Sequence, residues 1–461
     1  MRAGGRGVLA LVLAALAVAG AVAADRLGPA TPGAPPATDM ATSGVWLCPH
    51  GGGSGWSGTI AIANPGANAV DVRLTPIGSG APGAPIEVAV PAGREVLQEV
   101  PATQRASATY VESFGGWVGV GWQVSTTGKE VGLGAEPCAP GPSTTWYLTD
   151  AATGQGHQAF LVLMNPFAQQ AVYDVTLYQP GRPPARPEAW TGAVLAGGRS
   201  VALDLDKQVL GRDPVGVEVD VSKGKIAAGS LGVTSTGGVT SVVGAPALSS
   251  TWYLPVGAGV GQSSVAVLVP EDDGALFSGT LLSSQPAQAA GNLTEVQQSG
   301  RSTAAYQVLT TGAAAVQLTT QQDVPILAAL RSAGRSVDDA ATGGVPAPAP
   351  VWLVPPTVRG DPALPGLVIV NPGTDAVEVT LRLLPEGKAD AGEPVTFSVP
   401  GQHAIAAPAT FLAKDPMGAV LVRATGDVVA LGASTSEGKH GLTMYGLAAG
   451  VPVPAVALPA D

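Results

Sequence analysis

Short stretches in which hydrophobic and polar residues alternate recur along the chain after residue 44. In the first of them Val70, Val72 and Leu74 alternate with polar neighbours, and the same pattern returns over 171–177 and 215–221. An alternation of period two places one face of a β-strand on a core and the other face in water. The pattern therefore predicts half-buried β-strands and gives no sign of long amphipathic helices.

The turns between these strands carry a shared signal. Asn64, Asn165 and Asn371 each end an apolar run and each precede a proline. Asn opens a turn with its side chain, and Pro fixes φ. At the corresponding place in the third part of the chain, the run 265–269 meets Pro270 without an Asn. We therefore expect one strand-turn-strand unit, with the third copy degenerate.

A tryptophan opens each unit. Trp46, Trp146, Trp252 and Trp352 recur about 100 residues apart, and such a period indicates repeats of one structural unit. Each tryptophan is predicted to fill a core, with its N–H donating to one partner. A glycine followed by a longer polar residue marks the middle of each unit: Gly93-Arg94, Gly198-Arg199, Gly300-Arg301 and Gly401-Gln402.

These patterns predict an all-β fold of four tandem immunoglobulin-like β-sandwich repeats of about 100 residues, following an N-terminal apolar helix and a Pro-rich spacer. The predicted boundaries are 1–24 for a signal peptide or membrane anchor, 25–44 for a disordered Pro/Ala/Gly-rich spacer, 45–140 for repeat 1, 145–246 for repeat 2, 251–345 for the degenerate repeat 3, 351–453 for repeat 4, and 454–461 for a tail.

The N-terminus has the three parts of a secretory signal. Arg2 and Arg6 give a positive start, residues 8–24 are apolar or small, and Ala21 to Ala23 fits a small-x-small cleavage pattern. The apolar run also has the minimum length for a spanning helix. A cleaved signal peptide and a retained membrane anchor therefore stay open as alternatives. Both predict an extracytoplasmic protein, secreted or held at the cell membrane by its N-terminal segment.

Composition and charge narrow the function classes. The 461 residues include 63 Gly and 41 Pro, only 12 % are charged, and the net charge is −11. Gly and Pro punctuate strands, which agrees with the predicted β-fold. Nucleic acid is excluded as a partner, because phosphate binding needs a clustered cationic face that the sequence lacks.

The two cysteines, Cys48 and Cys138, both fall in repeat 1. In an exported protein such a pair predicts a disulfide that joins the first and last strands of its domain. The alternative is a metal site with His50, which would have three ligands at most.

No constellation of catalytic residues is visible, so we expect no enzyme activity and no cofactor. His50, His157, His403 and His440 lack metal-binding spacing and are expected on the surface or in turns.

Two further features carry binding hypotheses. The acidic turn Glu271–Gly274 offers oxygen ligands, and whether it binds calcium stays open. Trp56, Trp117 and Trp190 lie outside the repeat marker, and they are candidates for stacking on a ligand such as a sugar ring, against the alternative of core filling.

The tryptophan starts, the Asn-Pro turns and the valine strands after them resemble an uncharacterised family of exported repeat proteins from high-GC Gram-positive bacteria. That family is a domain of unknown function with an N-terminal membrane segment, and the resemblance covers residues 46–452. It implies export but no activity or site. We therefore expect a non-catalytic cell-envelope protein, a structural or binding array. The alternatives are an accessory subunit of an envelope enzyme or transporter, and a module that binds cell-wall glycan through exposed tryptophans.

Overall fold

The computed structural model describes residues 43–458 except 236, 257–261, 309–313, 334–338, 356–365, 388, 416–417, 438–442 and 455–456. Thr42–Asp461 forms one compact unit. The predicted signal peptide or anchor, the N-terminal helix, nearly all of the spacer and His440 lie outside the described residues. The described part is all-β and contains several antiparallel sheets.

Residues 44–139, here called segment 1, contain eight strands. Their bounds are β1 Gly44–Cys48, β2 Ser57–Asn64, β3 Val70–Ile77, β4 Ile86–Val90, β5 Arg94–Pro101, β6 Ala108–Phe114, β7 Gly119–Thr127 and β8 Val131–Pro137. They form two four-stranded sheets, in the orders β1-β6-β3-β4 and β5-β2-β7-β8. The alternating residues Val70, Val72 and Leu74 are buried, as the period of two predicts.

Residues 143–245, segment 2, repeat this strand order. The bounds are β9 Thr145–Ala151, β10 His157–Asn165, β11 Ala171–Gln179, β12 Arg182–Ala185, β13 Ala193–Leu195, β14 Arg199–Asp204, β15 Val215–Lys223, β16 Ala227–Thr234 and β17 Val239–Val243, with a 3₁₀ turn at Glu188–Trp190. One sheet runs β12-β11-β15-β9, with β13 also on β11, and the other runs β14-β10-β16-β17.

Residues 249–345, segment 3, have the same order again. The bounds are β18 Thr251–Val256, β19 Gln262–Val269, β20 Ala275–Leu282, β21 Gln288–Ala289, β22 Val296–Gln298, β23 Ser302–Val308, β24 Ala314–Thr320, β25 Leu327–Ala333 and β26 Asp339–Thr342, with a 3₁₀ turn at Gln321–Asp323. The sheets are β18-β24-β20-β21, with β22 also on β20, and β23-β19-β25-β26.

Residues 349–453, segment 4, differ in one respect. The bounds are β27 Ala349–Val354, β28 Leu367–Asn371, β29 Val377–Leu384, β30 Val395–Val399, β31 His403–Ala406, β32 Ala419–Glu437, β33 Thr443–Ala449 and β34 Val451–Pro452, with a one-turn helix at Ala409–Leu412. The long strand β32 pairs with β27 and β29 through its first half and with β28 and β33 through its second half. It therefore joins two groups of strands that are separate sheets in the other segments.

The four repeated tryptophans lie in the cores of the segments. Each is at most 2 % exposed. The indole N–H groups of Trp146, Trp252 and Trp352 donate to the carbonyls of Ile226, Ile326 and Val428, at 2.9, 2.9 and 2.7 Å. The prediction that these tryptophans fill a core with a satisfied N–H is confirmed for these three.

The Asn-Pro turns are held by the Asn side chains. Asn64 Nδ2 donates to Asn68 O and Val90 O, and its Oδ1 accepts from the N–H of Gly66. Asn165 and Asn371 make the equivalent three bonds. Each Asn thus satisfies backbone groups that the turn leaves buried.

Segment 3, which lacks the turn Asn, has a buried glutamine on β22. Gln298 is buried, and its Nε2 donates to Val267 O and Ser302 O, each at 3.1 Å. Its Oε1 accepts from the hydroxyl of Tyr306 at 3.0 Å. The partners of Gln298 lie in β19 and β23, whereas the Asn side chains of the other segments also bond within their own turns.

Neighbouring segments meet at one equivalent position. The residues Gly93, Gly198, Arg301 and Gln402 have φ between 51° and 63°, and the residue two places later is buried in every segment: Glu95, Ser200, Thr303 and Ala404.

At each junction this residue contacts the preceding segment. The N–H of Ser200 donates to Gly78 O and that of Ala404 donates to Ser283 O, both at 2.9 Å. Thr303 Oγ1 lies 2.9 Å from the hydroxyl of Thr149.

The last junction returns to the start of the chain. The N–H of Glu95 in segment 1 donates to Pro385 O of segment 4 at 3.2 Å. At the centre, β8, β17, β26 and β33 contact one another in cyclic order. The four segments therefore form a closed ring, with one strand of each segment at its axis.

Candidate functional site

A cavity of about 540 Å³ opens at one end of the ring axis. Its wall is built by the stretches that follow the last central strand of each segment, within 136–143, 242–248, 343–346 and 450–452, and by parts of β9 and β25. Its volume lies in the range of small-molecule pockets, about 300–1,000 Å³. We call it the central cavity. Every segment contributes to it, so it exists only in the assembled ring.

Four equivalent prolines stand in the cavity wall: Pro140, Pro246, Pro346 and Pro452. The residue before each one pairs with the residue after the repeated tryptophan of the same segment, in the pairs Leu47–Ala139, Tyr147–Ala245, Tyr253–Val345 and Leu353–Val451. In each segment, the end of the chain segment therefore pairs with the first strand of the same segment. The next segment begins after this pairing. This Ala-Pro or Val-Pro signal is visible in the sequence at the end of each segment.

Cys48 and Cys138 form a disulfide at this closure in segment 1, so the predicted pairing is present. In the other segments the position of Cys138 is a glycine. A Cβ atom on Gly244 would lie 3.4 Å from Leu148 Cδ1, and one on Gly344 would lie 2.5 Å from Leu254 Cδ2. Segment 1 therefore uses a covalent bond where the others pack a leucine or valine against glycine.

Asp150, in β9, is a buried carboxylate among the residues that line the cavity. It is 5 % exposed, and its Oδ2 accepts from the hydroxyl of Ser230 at 2.5 Å. Its Oδ1 has no hydrogen-bond partner among the described residues. Burial raises the pKa of this carboxyl, against the opposing effect of the Ser230 bond.

A polar cluster lies on the far side of Asp150, between segments 2 and 3. Arg331 donates to Asp339 Oδ2 at 2.9 Å and contacts Asp213 Oδ2 at 3.4 Å. It also donates to His157 Nδ1 at 2.9 Å, so this nitrogen carries no proton. Burial lowers the pKa of His157, and the positive charge of Arg331 lowers it further.

A void of about 10 Å³ beside this cluster is also lined by Asp150. It has about the size of one water molecule.

His50 is fully buried, so of the two expected locations, the surface or a turn, the surface is wrong. It occupies the loop after β1, where Nδ1 lies 2.7 Å from Gly51 O and Nε2 lies 3.0 Å from Thr109 Oγ1. A carbonyl can only accept, so Nδ1 donates and Nε2 accepts from the threonine hydroxyl. Burial lowers the pKa of His50 to about 4. Both cysteines are in the disulfide, so the alternative metal site with His50 is excluded.

Two of the proposed stacking tryptophans are buried. Trp56 is 6 % exposed, donates to Glu130 Oε2 at 2.9 Å, and lies under the Arg105 guanidinium. Trp190 is 7 % exposed and packs in the core of segment 2. Neither offers the open ring face that stacking on a sugar needs, which corrects the expectation of exposed rings at these two positions.

Trp117 is half-buried. Its ring lies edge-on to Trp46, with centroids 5.8 Å apart. It also packs against apolar residues of segments 1 and 4. Its stacking role stays a prediction.

The acidic turn Glu271–Gly274 is exposed, and Arg301 forms an ion pair with Asp272 at 3.3 Å. Within the described ranges, no group of three or more His, Cys, Asp or Glu side chains is arranged to hold a metal ion. None of the helices in the same ranges has the length and apolar character that a membrane crossing requires.

The chain belongs to a family of unknown function (DUF5719), whose model matches residues 96–354. The match runs from β5 of segment 1 to the end of β27 in segment 4. It includes Asp150, Arg331 and three of the four wall prolines. The resemblance to an uncharacterised domain family is thereby confirmed. No curated protein matches the chain.

Proposed function

We propose that this protein is a non-catalytic, exported cell-envelope protein, in which four tandem immunoglobulin-like β-sandwich modules form a binding scaffold. The recurring strand order of the segments supports the four modules, because each pairs a sheet of the β1-β6-β3-β4 kind with one of the β5-β2-β7-β8 kind. A two-sheet unit of about 100 residues is the size of an immunoglobulin-like domain.

The observation that carries the scaffold role is the closure of the ring at Glu95. The backbone of this residue bonds to Pro385, and its Oε2 accepts from the N–H of Ala419 at 2.7 Å. A closed ring holds its surface groups in fixed relative positions, and binding to a preorganised surface loses less conformational entropy. We therefore favour a platform for ligands or partners over an extended spacer.

Two observations support export. The Cys48–Cys138 disulfide belongs to the chemistry of oxidising compartments. The charged start and apolar run of residues 1–24 have the pattern of a secretory signal or a membrane anchor. These favour a location outside the cytoplasm, either secreted or attached to the cell membrane.

Fractionation of cells that make the full chain tests this proposal. We expect the protein outside the cytoplasm, accessible to added protease in intact cells, and with Cys48 and Cys138 protected from thiol reagents until a reductant is added. The same protein without residues 1–24 is the control and should stay inside, with both thiols reactive. Recovery of the full chain in the cytoplasm would overturn the export part.

Co-sedimentation with purified cell-wall fragments, followed by cross-linking in intact membranes, tests the binding part. Retention on wall fragments favours a wall ligand, and a specific cross-linked protein favours the alternative of an accessory subunit. Trp117→Ala, beside Trp190→Ala as the buried control, tests glycan stacking at the one candidate ring that is half-buried. Turnover of a wall substrate by the folded protein would overturn the non-catalytic assignment.

A further inference from the structure

We propose that the void of about 10 Å³ between segments 2 and 3 is a binding site for one water molecule, which donates to Asp150 Oδ1 and accepts from the guanidinium of Arg331. The water makes the two charges a mediated ion pair between the segments. The inference concerns one junction of the ring, and it does not require that the protein be exported or bind cell wall.

The position and size of the void define what it can hold. Residues of β9, β10, β16 and β17 line it from segment 2, and Arg331 of β25 and Asp339 of β26 line it from segment 3. Its volume is about that of one water-sized sphere, which is the smallest space that a water molecule occupies. The site therefore takes a single water and no larger molecule.

Asp150 supplies the acceptor for this water. Its side chain is buried, and Ser230 donates to Oδ2. Oδ1 is also shielded from solvent and has no hydrogen-bond partner among the described residues. A buried carboxylate oxygen without a donor costs free energy. A water that donates to Oδ1 removes this cost.

Arg331 supplies the donor on the other side of the void. Its Nη1 contacts Asp213, and its Nη2 lies 2.9 Å from both His157 Nδ1 and Asp339 Oδ2. A guanidinium has five N–H groups, so these three partners among the described residues leave N–H groups that can donate to a water. Burial raises the pKa of the Asp150 carboxyl, and the charge of Arg331 is among the effects that lower it, so the two groups lie close enough to interact.

The charges around the void favour a neutral molecule that both donates and accepts. A cation in the void would lie beside Arg331, and an anion would lie beside Asp150 and Asp339. Either ion would meet a like charge in a poorly solvated space. Water donates to the carboxylate and accepts from the guanidinium at the same time, so it satisfies both groups without added charge.

A high-resolution crystal structure of the full chain tests the proposal directly. We expect one ordered water in the void, about 2.5–3.2 Å from Asp150 Oδ1 and from a nitrogen of Arg331. No ordered molecule in the void, a water that contacts only one of the two groups, or a direct hydrogen bond between them would overturn the proposal. So would an ion with several oxygens at about 2.3–2.6 Å, the distances of a bound calcium.

Magnetic relaxation dispersion of the water oxygen nuclei counts the long-lived waters of the protein in solution. Asp150→Val has a side chain of similar size without an oxygen, and we expect it to hold one long-lived water fewer than the unaltered protein. Asp71→Val makes the same substitution at an exposed carboxylate on β3 and is the matched control, in which the number should not change.

An equal number of long-lived waters in folded Asp150→Val and in the unaltered protein would contradict the assignment of the site to this carboxylate. The crystal structure needs no variant, so it decides the question if Asp150→Val does not fold.

Discussion

Glu95 accepts a hydrogen bond through Oε2 from the backbone N–H of Ala419, 324 residues later in the chain, at 2.7 Å. The side chain is 1 % exposed, so the contact lies between segments 1 and 4 and away from water. The contact joins the first segment to the last, so it depends on the arrangement of all four. It is therefore the place where the cooperativity of the whole assembly can be measured.

We expect Glu95→Ala to lower the free energy of unfolding by about 2 kcal/mol, because it removes a buried hydrogen bond and leaves the N–H of Ala419 without this partner. Chemical denaturation provides the measurement. Glu99→Ala, at an exposed glutamate of the same strand, is the control and should change stability by less than about 0.5 kcal/mol. Equal effects of the two variants would mean that the closing contact contributes nothing.

Removal of the disulfide with Cys48→Ala and Cys138→Ala should lower the free energy of unfolding by about 2–5 kcal/mol, since the bond closes a long loop in the unfolded chain. The double variant Cys48→Leu and Cys138→Gly introduces the pair that segment 2 has at Leu148 and Gly244. We expect its melting temperature to lie above that of the alanine variant, because leucine fills the space. If the alanine variant is the more stable, the two closures are not equivalent.

Arg301 has a φ of 51°, at the position where segments 1 and 2 have glycine. A left-handed conformation costs a residue with a Cβ atom about 1 kcal/mol. We expect Arg301→Gly to be about 1 kcal/mol more stable than Arg301→Ala, because both lose the exposed ion pair to Asp272 and only glycine loses the strain. Equilibrium denaturation of the two variants checks this. Equal stability would contradict it.

His50 should make the protein less stable in mild acid. Its pKa in the folded state is about 4, below the ordinary value of 6.5. Between these pH values the unfolded chain binds a proton that the folded chain does not. The free energy of unfolding therefore falls as the pH decreases through this window, by up to about 1.4 kcal/mol per pH unit from this group.

The difference between the unaltered protein and His50→Gln isolates this contribution, since the carboxyl groups titrate in both. We expect the glutamine variant to show the shallower loss of stability between pH 6.5 and 4. Parallel curves would mean that His50 does not titrate differently in the two states.

The sequence predicts the strands well because local chemistry determines them. Val70, Val72 and Leu74 alternate, and Asn64 satisfies its own turn, so each signal lies within a few residues of its effect. The mid-unit mark does not show which of its two residues has the left-handed conformation. In segment 3 the left-handed residue is Arg301, and Gly300 instead passes so near Asp272 that a Cβ atom would lie 2.1 Å from its carbonyl oxygen.

The ring and the central cavity could not be predicted in the same way. Glu95 and Ala419 have nothing in common in the sequence, and their contact depends on the angle at which each segment meets the next. In the sequence, Asp150 is a single polar residue near the end of a strand, with nothing beside it that marks it. Its burial and its bond to Ser230 arise only in the folded chain, as does the wall of the cavity, which residues of all four segments complete.

The closed ring also restricts how a gene for such a protein can change in length. An open string of repeats gains or loses a copy by recombination and still buries the same surfaces between neighbours. Here the edge at Glu95 already meets Pro385, so a deleted segment would leave two interfaces that no longer reach each other. An inserted segment would force them apart. The number of segments is therefore tied to the geometry of all the junctions at once.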